Sequence, residues 1–287
     1  MLKLQHLQNT NTGWSLDQRD PKFIESMMPI LGLLYNFYFR VRTSGWENVP
    51  SGWENVPDEK ILVVGSHNGG LASPDTSMML YDWYRRFGVE RQIYGLMHPK
   101  VWDVFPPAAE MAMKAGAVRA HPKMAYAALR AGASVLVYPG GAEDVFRPHA
   151  MRDKIYFAQR QGFIKLALRE NVPIVPAISW GSHDTLIVLA DIYQIMQKFH
   201  NMGMPWIFGV DPLVFPIYLG LPWGLAFGPL PNIPLPISIY TRVCPPIVFP
   251  RYGKQAASDR AYVNECYELV RSKMQQELDT LIQQATY

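Results

Sequence analysis

The chain has 287 residues, of which 49% are hydrophobic, 13% aromatic and 18% charged, enough apolar material for one large core with or without a small appendage. That composition excludes disordered, collagen-like and coiled-coil readings. Twenty-seven Lys and Arg against 24 Asp and Glu leave a formal charge of +3, too small to point to nucleic acid but compatible with an anionic membrane surface or substrate. Cys244 and Cys266 stand in no CxxC or His-rich spacing, so neither a disulfide framework nor a metal site is expected, and a cytoplasmic setting is the default.

The opening MLKLQHLQNTNTGWSLDQRD has no apolar run followed by a small-residue cleavage site, so a secretory signal is not expected. Residues 23–41 (FIESMMPILGLLYNFYFRV) are apolar and aromatic, but Glu25, Pro29, Asn36 and Arg40 interrupt them. This predicts an interfacial helix rather than a span, the alternative being a helix that caps a soluble core. SGWENVP at 44–50 recurs verbatim at 51–57, which reads as a duplicated loop and not as a solenoid repeat. From residue 59 short apolar runs alternate with amphipathic segments. Strands are predicted at 61–66, 92–97, 117–120, 134–139 and 172–179, and helices at 75–87, 99–115, 122–131 and 153–170. The fold class is α/β, a mostly parallel sheet flanked by helices. Residues 199–250 are apolar and rich in Pro and Trp. Pro216, Pro222, Pro229, Pro231, Pro234 and Pro236 forbid a continuous spanning helix there, and a loop that dips into a membrane interface or roofs an acyl-chain tunnel is expected. Residues 258–284 read as an amphipathic helix with Ala261, Cys266, Leu269, Val270, Met274, Leu278 and Leu281 near one face. The chain thus divides into an N-terminal helix and linker (1–58), a central α/β core (59–200) and an apolar region with a closing helix packed on it (201–287), a single domain overall.

Ligands of such sheets collect at the carboxyl ends of the strands, and the polar signals of this chain lie there. The first strand runs into Ser66, His67, Asn68, Gly69 and Gly70, the second into His98, another into Tyr138, Gly140, Gly141 and Glu143, and the last into His183 and Asp184. His98 and His183, taken singly, are more often structural. His67 is followed by glycines that let a backbone approach a substrate, and Asp75 comes eight residues later at a probable helix start. Asp75 either caps that helix or orients the His67 ring for proton abstraction. No GxSxG elbow, phosphate loop or GxGxxG fingerprint is present. What remains is direct transfer to a hydroxyl of the substrate, with amides near Gly140 and Gly141 facing a developing oxyanion.

Four blocks carry a family resemblance: GSHNGGLASPD, GAVRAHP, VLVYPGGAEDVFRP and NVPIVPAISWGSHDTL. In this order they resemble the glycerolipid (lysophospholipid) acyltransferase superfamily, especially its branch of diacylglycerol acyltransferase type 2 and monoacylglycerol acyltransferase-like proteins, over residues 52–246. The resemblance implies an acyl-CoA or acyl-carrier-protein co-substrate, no further cofactor, His67 as general base, a lipid alcohol acceptor and work at a membrane surface, with the protein peripheral or monotopic. The common pattern places Asp five residues after the histidine, where this chain has Ala72. That leaves Asp75, His98, Glu143 or a backbone carbonyl to orient His67. Phosphatidate-forming relatives carry Glu-Gly-Thr-Arg where this chain has Gly140, Gly141, Ala142 and Glu143, which favours a neutral acceptor. Arg119, Arg147 and Arg152 keep a lysophospholipid acceptor open, because each can meet a phosphate. A thioesterase, or a lipid-binding protein without catalysis, are the rivals outside acyl transfer. The substrate-binding candidates are therefore Asn68, Gly69, Gly70, His98, Arg119, Tyr138, Gly140, Gly141, Glu143 and Arg147, around a His67 and Asp75 pair.

Overall fold

The computed structural model describes residues 12–49, 60–206 and 209–286; the second SGWENVP copy lies outside the described residues. The first helix, α1 (Pro21–Leu33), starts where its sequence dictates. The Asp20 carboxylate accepts from the amides of Lys22 and Phe23 at 2.9 and 3.2 Å, and Pro21 has no amide to leave unpaired. The helix runs on through a widened π turn at Leu34–Tyr38. Ile24, Tyr35 and Phe39 are buried, while Ile30, Leu33 and Phe37 point outward, Phe37 being 73% exposed. The segment 23–41, expected as an interfacial helix or as a cap on the core, therefore packs one face on the core and leaves an apolar row on the other. Among the described residues no helix is long and apolar enough to cross a membrane.

The chain then forms β1 (Arg42–Ser44) and enters the first SGWENVP copy, which buries Trp46 and Val49 and ties the Asn48 amide nitrogen to the Val243 carbonyl at 3.0 Å. A seven-stranded sheet follows the order β1-β10-β6-β2-β5-β3-β4, with β2 Leu62–Gly65, β3 Ile93–Met97, β4 Ala117–Arg119, β5 Ser134–Val137, β6 Ile174–Trp180 and β10 Tyr240–Val243. The five strands from β6 to β4 are mutually parallel; β10 is antiparallel to β6, and β1 runs with β10. These parallel strands are the predicted ones, and their continuous apolar character reflects burial on both faces. Leu62, Val64, Val135 and Ile174 face one layer, with α5 (Pro122–Arg130), α7 (Gly162–Glu170), α9 (Lys254–Ser258) and α10 (Arg260–Thr286). Ile61, Val63, Leu136 and Val175 face the other, with α1 and α2 (Pro74–Phe87).

Several predicted elements differ. The helix expected over 99–115 breaks into α3 (Lys100–Val104) and α4 (Pro106–Lys114), because Pro106 cannot donate to the preceding turn and opens a new helix instead. The helix expected from 153 starts only at Gly162. Ala158 and Gln159 take left-handed φ values of 49° and 56°, so Ile155 and Phe157 reach the core from an irregular segment. The Pro-rich region is not a loop throughout: after β7 (Ile187–Asp191) and α8 (Tyr193–Asn201), β8 (Pro216–Gly220) and β9 (Gly224–Phe227) within it join β7 in a second, antiparallel sheet. Its residues alternate. Val188, Tyr218 and Ala226 pack on Val145 and Phe146, whereas Leu189, Leu219, Leu225 and Phe227 face outward. On α10, Val263, Cys266, Val270, Met274, Leu278 and Leu281 are buried, but Ala261 and Leu269, expected on that face, point to solvent.

The closing helix thus supplies much of one apolar layer, and Met274 is fully enclosed. Met274→Ala should lower unfolding stability by about 2–5 kcal/mol, seen as a lower urea midpoint at unchanged slope.

Candidate active site

Register brings the polar strand ends together. Val64 pairs with Val137 and Gly95 with Leu136, so His67, Gly140 and His98 leave three adjacent strands side by side, at about 4.8 Å per strand. Gly65 is required beneath them, because a Cβ there would lie 2.3 Å from the Tyr138 ring. With hydrogen in its place, Tyr138 stacks under His67 at 4.4 Å between ring centres and 22° between planes. Burial and the nearby Asp75 push the Tyr138 phenol well above its ordinary value, so it stays neutral and protects one face of the imidazole.

Asp75 is the group that orients His67. Its Oδ2 lies 2.9 Å from His67 Nδ1 and accepts the Asn68 amide at 2.9 Å, while Oδ1 accepts the Thr76 amide at 2.8 Å. The carboxylate is buried and the ring is 18% exposed. With Nδ1 protonated toward Asp75, Nε2 is left as the basic nitrogen. Burial opposes protonation of the ring, but the charges of Asp75 and Asp144 outweigh it and hold the His67 pKa above its ordinary value. Between His67 and Asp75 the chain makes a 3-10 turn at Gly70–Ala72, flanked by left-handed Gly69 and Ser73. That turn returns Asp75 to the ring.

The second buried acid of the site is Asp144, which the sequence reading passed over in favour of Glu143. It sits on a short helix, α6 (Gly141–Val145). Gly140 lets α6 start hard against the strand end, since a Cβ there would fall 2.3 Å from Asp144 Cβ and 2.5 Å from the Tyr156 carbonyl oxygen. Asp144 turns inward: its Oδ2 accepts the His67 amide at 2.6 Å and its Oδ1 pairs with Arg147. Burial pushes the Asp144 carboxyl up to about 6 against the opposing pull of Arg147. Glu143 instead points to the flank, where it meets Arg160 at 2.8 Å.

Arg147, expected to contact substrate, is 3% exposed. Its guanidinium donates to Asp144, the His67 carbonyl, Ser66 Oγ, Asn68 Oδ1 and the carbonyls of Met151 and Arg152, which ties it to the loop and withholds it from a ligand phosphate. Asn68 is likewise buried, bonding the Ser66 carbonyl and His183, and supports the loop from behind. Burial and Arg147 push His183 down to about 3, so it stays neutral. His98 accepts the Lys100 amide on Nδ1 at 3.2 Å; burial, Lys100 and Arg160 lower its pKa. Arg119 lies on β4, at the far edge of the sheet from His67, with its guanidinium over Trp102 and its Nε on the Thr12 carbonyl. The Gly141 amide closes a turn onto the Tyr138 carbonyl at 3.1 Å, which removes it as an oxyanion donor.

Two residues missed by the sequence reading had a signal. Asp144 stands three residues before Arg147, the spacing of a helical ion pair. Asn232 is a lone amide in a stretch, 212–241, without a charged residue, and it bonds the Gly69 carbonyl and the Ala72 amide. Removing Asp144 leaves Arg147 buried without its counter-ion. Asp144→Ala should therefore cost about 3–5 kcal/mol, measured by urea unfolding at pH 7.5, where the wild-type carboxyl is ionised.

A sequence-family model described as diacylglycerol acyltransferase matches residues 102–249, just over half of the chain. An uncharacterized protein of Mycobacterium tuberculosis is 30% identical over 264 residues, covering 92% of this chain and 68% of the relative. The 2-acylglycerol O-acyltransferase 3 of Homo sapiens is 26% identical over 123 residues, 42% of this chain and 34% of its own length. Diacylglycerol O-acyltransferase 2-like protein 6 of Mus musculus is 39% identical over 54 residues, 19% of this chain and 16% of its own length. Among solved structures, the 1-acyl-sn-glycerophosphate acyltransferase of Thermotoga maritima superposes with a TM-score of 0.49 at 15% identity, covering 89% of this chain and 79% of that one. From the extent of the family match, the chain belongs to the diacylglycerol acyltransferase family and is an acyltransferase.

Proposed function

We propose that the chain moves a fatty acyl group from an acyl-CoA or acyl-carrier-protein thioester to the hydroxyl of a neutral lipid, a mono- or diacylglycerol or a long-chain alcohol, while bound peripherally to the cytoplasmic face of a membrane. The observation that carries the reading is the His67–Asp75 pair at 2.9 Å beside the Gly140 turn. His67 Nε2 takes the proton of the acceptor hydroxyl as its oxygen bonds to the thioester carbonyl carbon, and the Gly140 amide meets the oxyanion. Collapse breaks the C–S bond, and the imidazolium returns the proton to the departing thiolate, so the ring ends neutral.

Neutrality of the acceptor is supported by Arg147, whose donors are taken up inside the loop. Acylation of a lysophospholipid is the second reading, favoured by the part-exposed Arg160 guanidinium on the Pro139 and Gly140 carbonyls. The membrane surface is supported by the outward apolar face of the small sheet, with Leu219, Leu225 and Phe227, and by the row Ile30, Leu33 and Phe37 on α1.

In lipid vesicles with labelled palmitoyl-CoA and a pool of neutral alcohols and lysophospholipids, mass-resolved products should be esters of the neutral alcohols. His67→Ala should reduce their rate by about 10²–10⁴-fold. Esters of lysophospholipid would move the acceptor to the second reading, and free fatty acid with no ester would mean hydrolysis.

Because the base acts as neutral imidazole, kcat/KM should rise with pH through a limb lying above the ordinary histidine value. The sign follows from the pair: Asp75 favours the imidazolium, so more alkaline solution is needed to free the base. Asp75→Asn should move that limb to lower pH and slow the reaction, as a pH–rate profile will record. Leu219→Glu with Leu225→Glu should weaken vesicle sedimentation, while turnover of a short-chain, monomeric substrate is retained.

A further inference from the structure

His67 and Asp75 are separated by a turn that has little to hold it from within. Gly69, Gly70 and Ser73 adopt left-handed φ values of 86°, 69° and 43°, and the turn's own bonds run from the Ser73 amide and hydroxyl to the Gly70 carbonyl, at 3.2 and 3.0 Å. The closure comes from far along the chain. Asn232 Nδ2 donates to the Gly69 carbonyl at 3.2 Å, and Asn232 Oδ1 accepts the Ala72 amide at 3.3 Å. One planar carboxamide thus spans the turn as a strand partner would, with its donor and acceptor each facing the complementary backbone group. Gly70 makes room for it: a Cβ there would lie 2.8 Å from Asn232 Oδ1 and 2.5 Å from Leu186 Cδ2.

Asn232 is in turn held on both sides by the β8–β9 hairpin. Trp223 Nε1 donates to the Pro231 carbonyl at 2.7 Å, and the Ile233 amide donates to the Leu221 carbonyl at 2.8 Å. The carboxamide therefore projects from a braced segment onto the turn that joins His67 to Asp75.

We propose that Asn232 is a positioning residue for acyl transfer: it fixes the turn from Gly69 to Ala72 and, through it, the distance and direction at which Asp75 meets His67. The proposal rests on the reading of His67 as the base, and it is independent of which alcohol accepts the acyl group. Loosening the turn weakens the Asp75 contact, and that contact is what opposes desolvation at the ring. The His67 titration should then fall toward the ordinary histidine value, and kcat should fall by about 10–100-fold with KM little changed, as a misplacement of the base without loss of substrate contacts requires.

The test follows the His67 ring by NMR titration in the full chain, with the resonance assigned by its loss in His67→Ala, for wild type, Asn232→Ala and Asn232→Leu. Leucine keeps the forked shape of asparagine, in a larger side chain, and removes both hydrogen bonds, so it tests the carboxamide without opening a cavity and stands in if alanine prevents folding. The expected result is a lower His67 titration in the folded variants, with the kcat loss carried in vesicles and in monomeric substrate alike. A His67 titration and kcat in Asn232→Leu equal to wild type overturns the proposal. A wild type with the raised titration that forms no ester of a neutral alcohol overturns the acceptor reading instead and leaves Asn232 in place, because the ring's titration does not depend on the acceptor.

Discussion

The Asp144 carboxylate, closed off from solvent, accepts the His67 amide at 2.6 Å and holds Arg147 in an ion pair within the fold. The end of β2 has few backbone partners of its own, because the parallel ladder stops at Gly65. Asp144 and Arg147 replace that ladder. The acid takes the amide of His67, and the guanidinium takes its carbonyl and the Asn68 side chain. A buried ion pair of this kind adds little net stability compared with apolar packing, yet it is costly to break from one side only. What it supplies here is a fixed path for the residues that follow the strand.

The same charges suit the proposed step. With His67 neutral, two carboxylates face one guanidinium, and the cluster carries one excess negative charge. Taking a proton onto Nε2 cancels it. The surroundings are therefore arranged for the imidazolium that forms as the hydroxyl is deprotonated, with no side chain having to reorganise at that moment. Desolvation alone would lower the ring's pKa, and the two acids reverse the sign. Tyr138 contributes by remaining neutral, since an ionised phenol beside Asp75 would add a third negative charge.

His67, the glycines around it and the strands were legible because each depends on local pattern: apolar runs for the buried ladder, and residues without side chains where the backbone crowds. The choice between Glu143 and Asp144 was not local. It is made by how tightly α6 starts after Gly140, and that is set by the Tyr156 carbonyl and Asp144 Cβ occupying the space of a missing side chain. Arg147 carried a plausible ligand chemistry in sequence, but its burial depends on the irregular segment that follows it, where the Met151 and Arg152 carbonyls turn back onto its guanidinium. The helix expected from residue 153 failed for a related reason: two left-handed residues interrupt it before Gly162, and hydrophobic spacing cannot register a change of backbone hand.

The small antiparallel sheet links the site to the surface. Its inner face, with Val188, Tyr218 and Ala226, packs on Val145 and Phe146, the residues next to Asp144 along the chain. Its hairpin braces Asn232 against the turn between His67 and Asp75. Leu186, which precedes β7, fills the space beside Gly70. Both acids of the site thus lean on one element, and that element presents leucine and phenylalanine outward on its other face. A sheet only three strands wide has little core of its own, so its geometry follows from what covers each side. Any apolar surface that settled on the outer face would therefore act on the same strands that brace Asp144 and Asn232, so the proposed lipid contact and the geometry of the proposed base share one mechanical support.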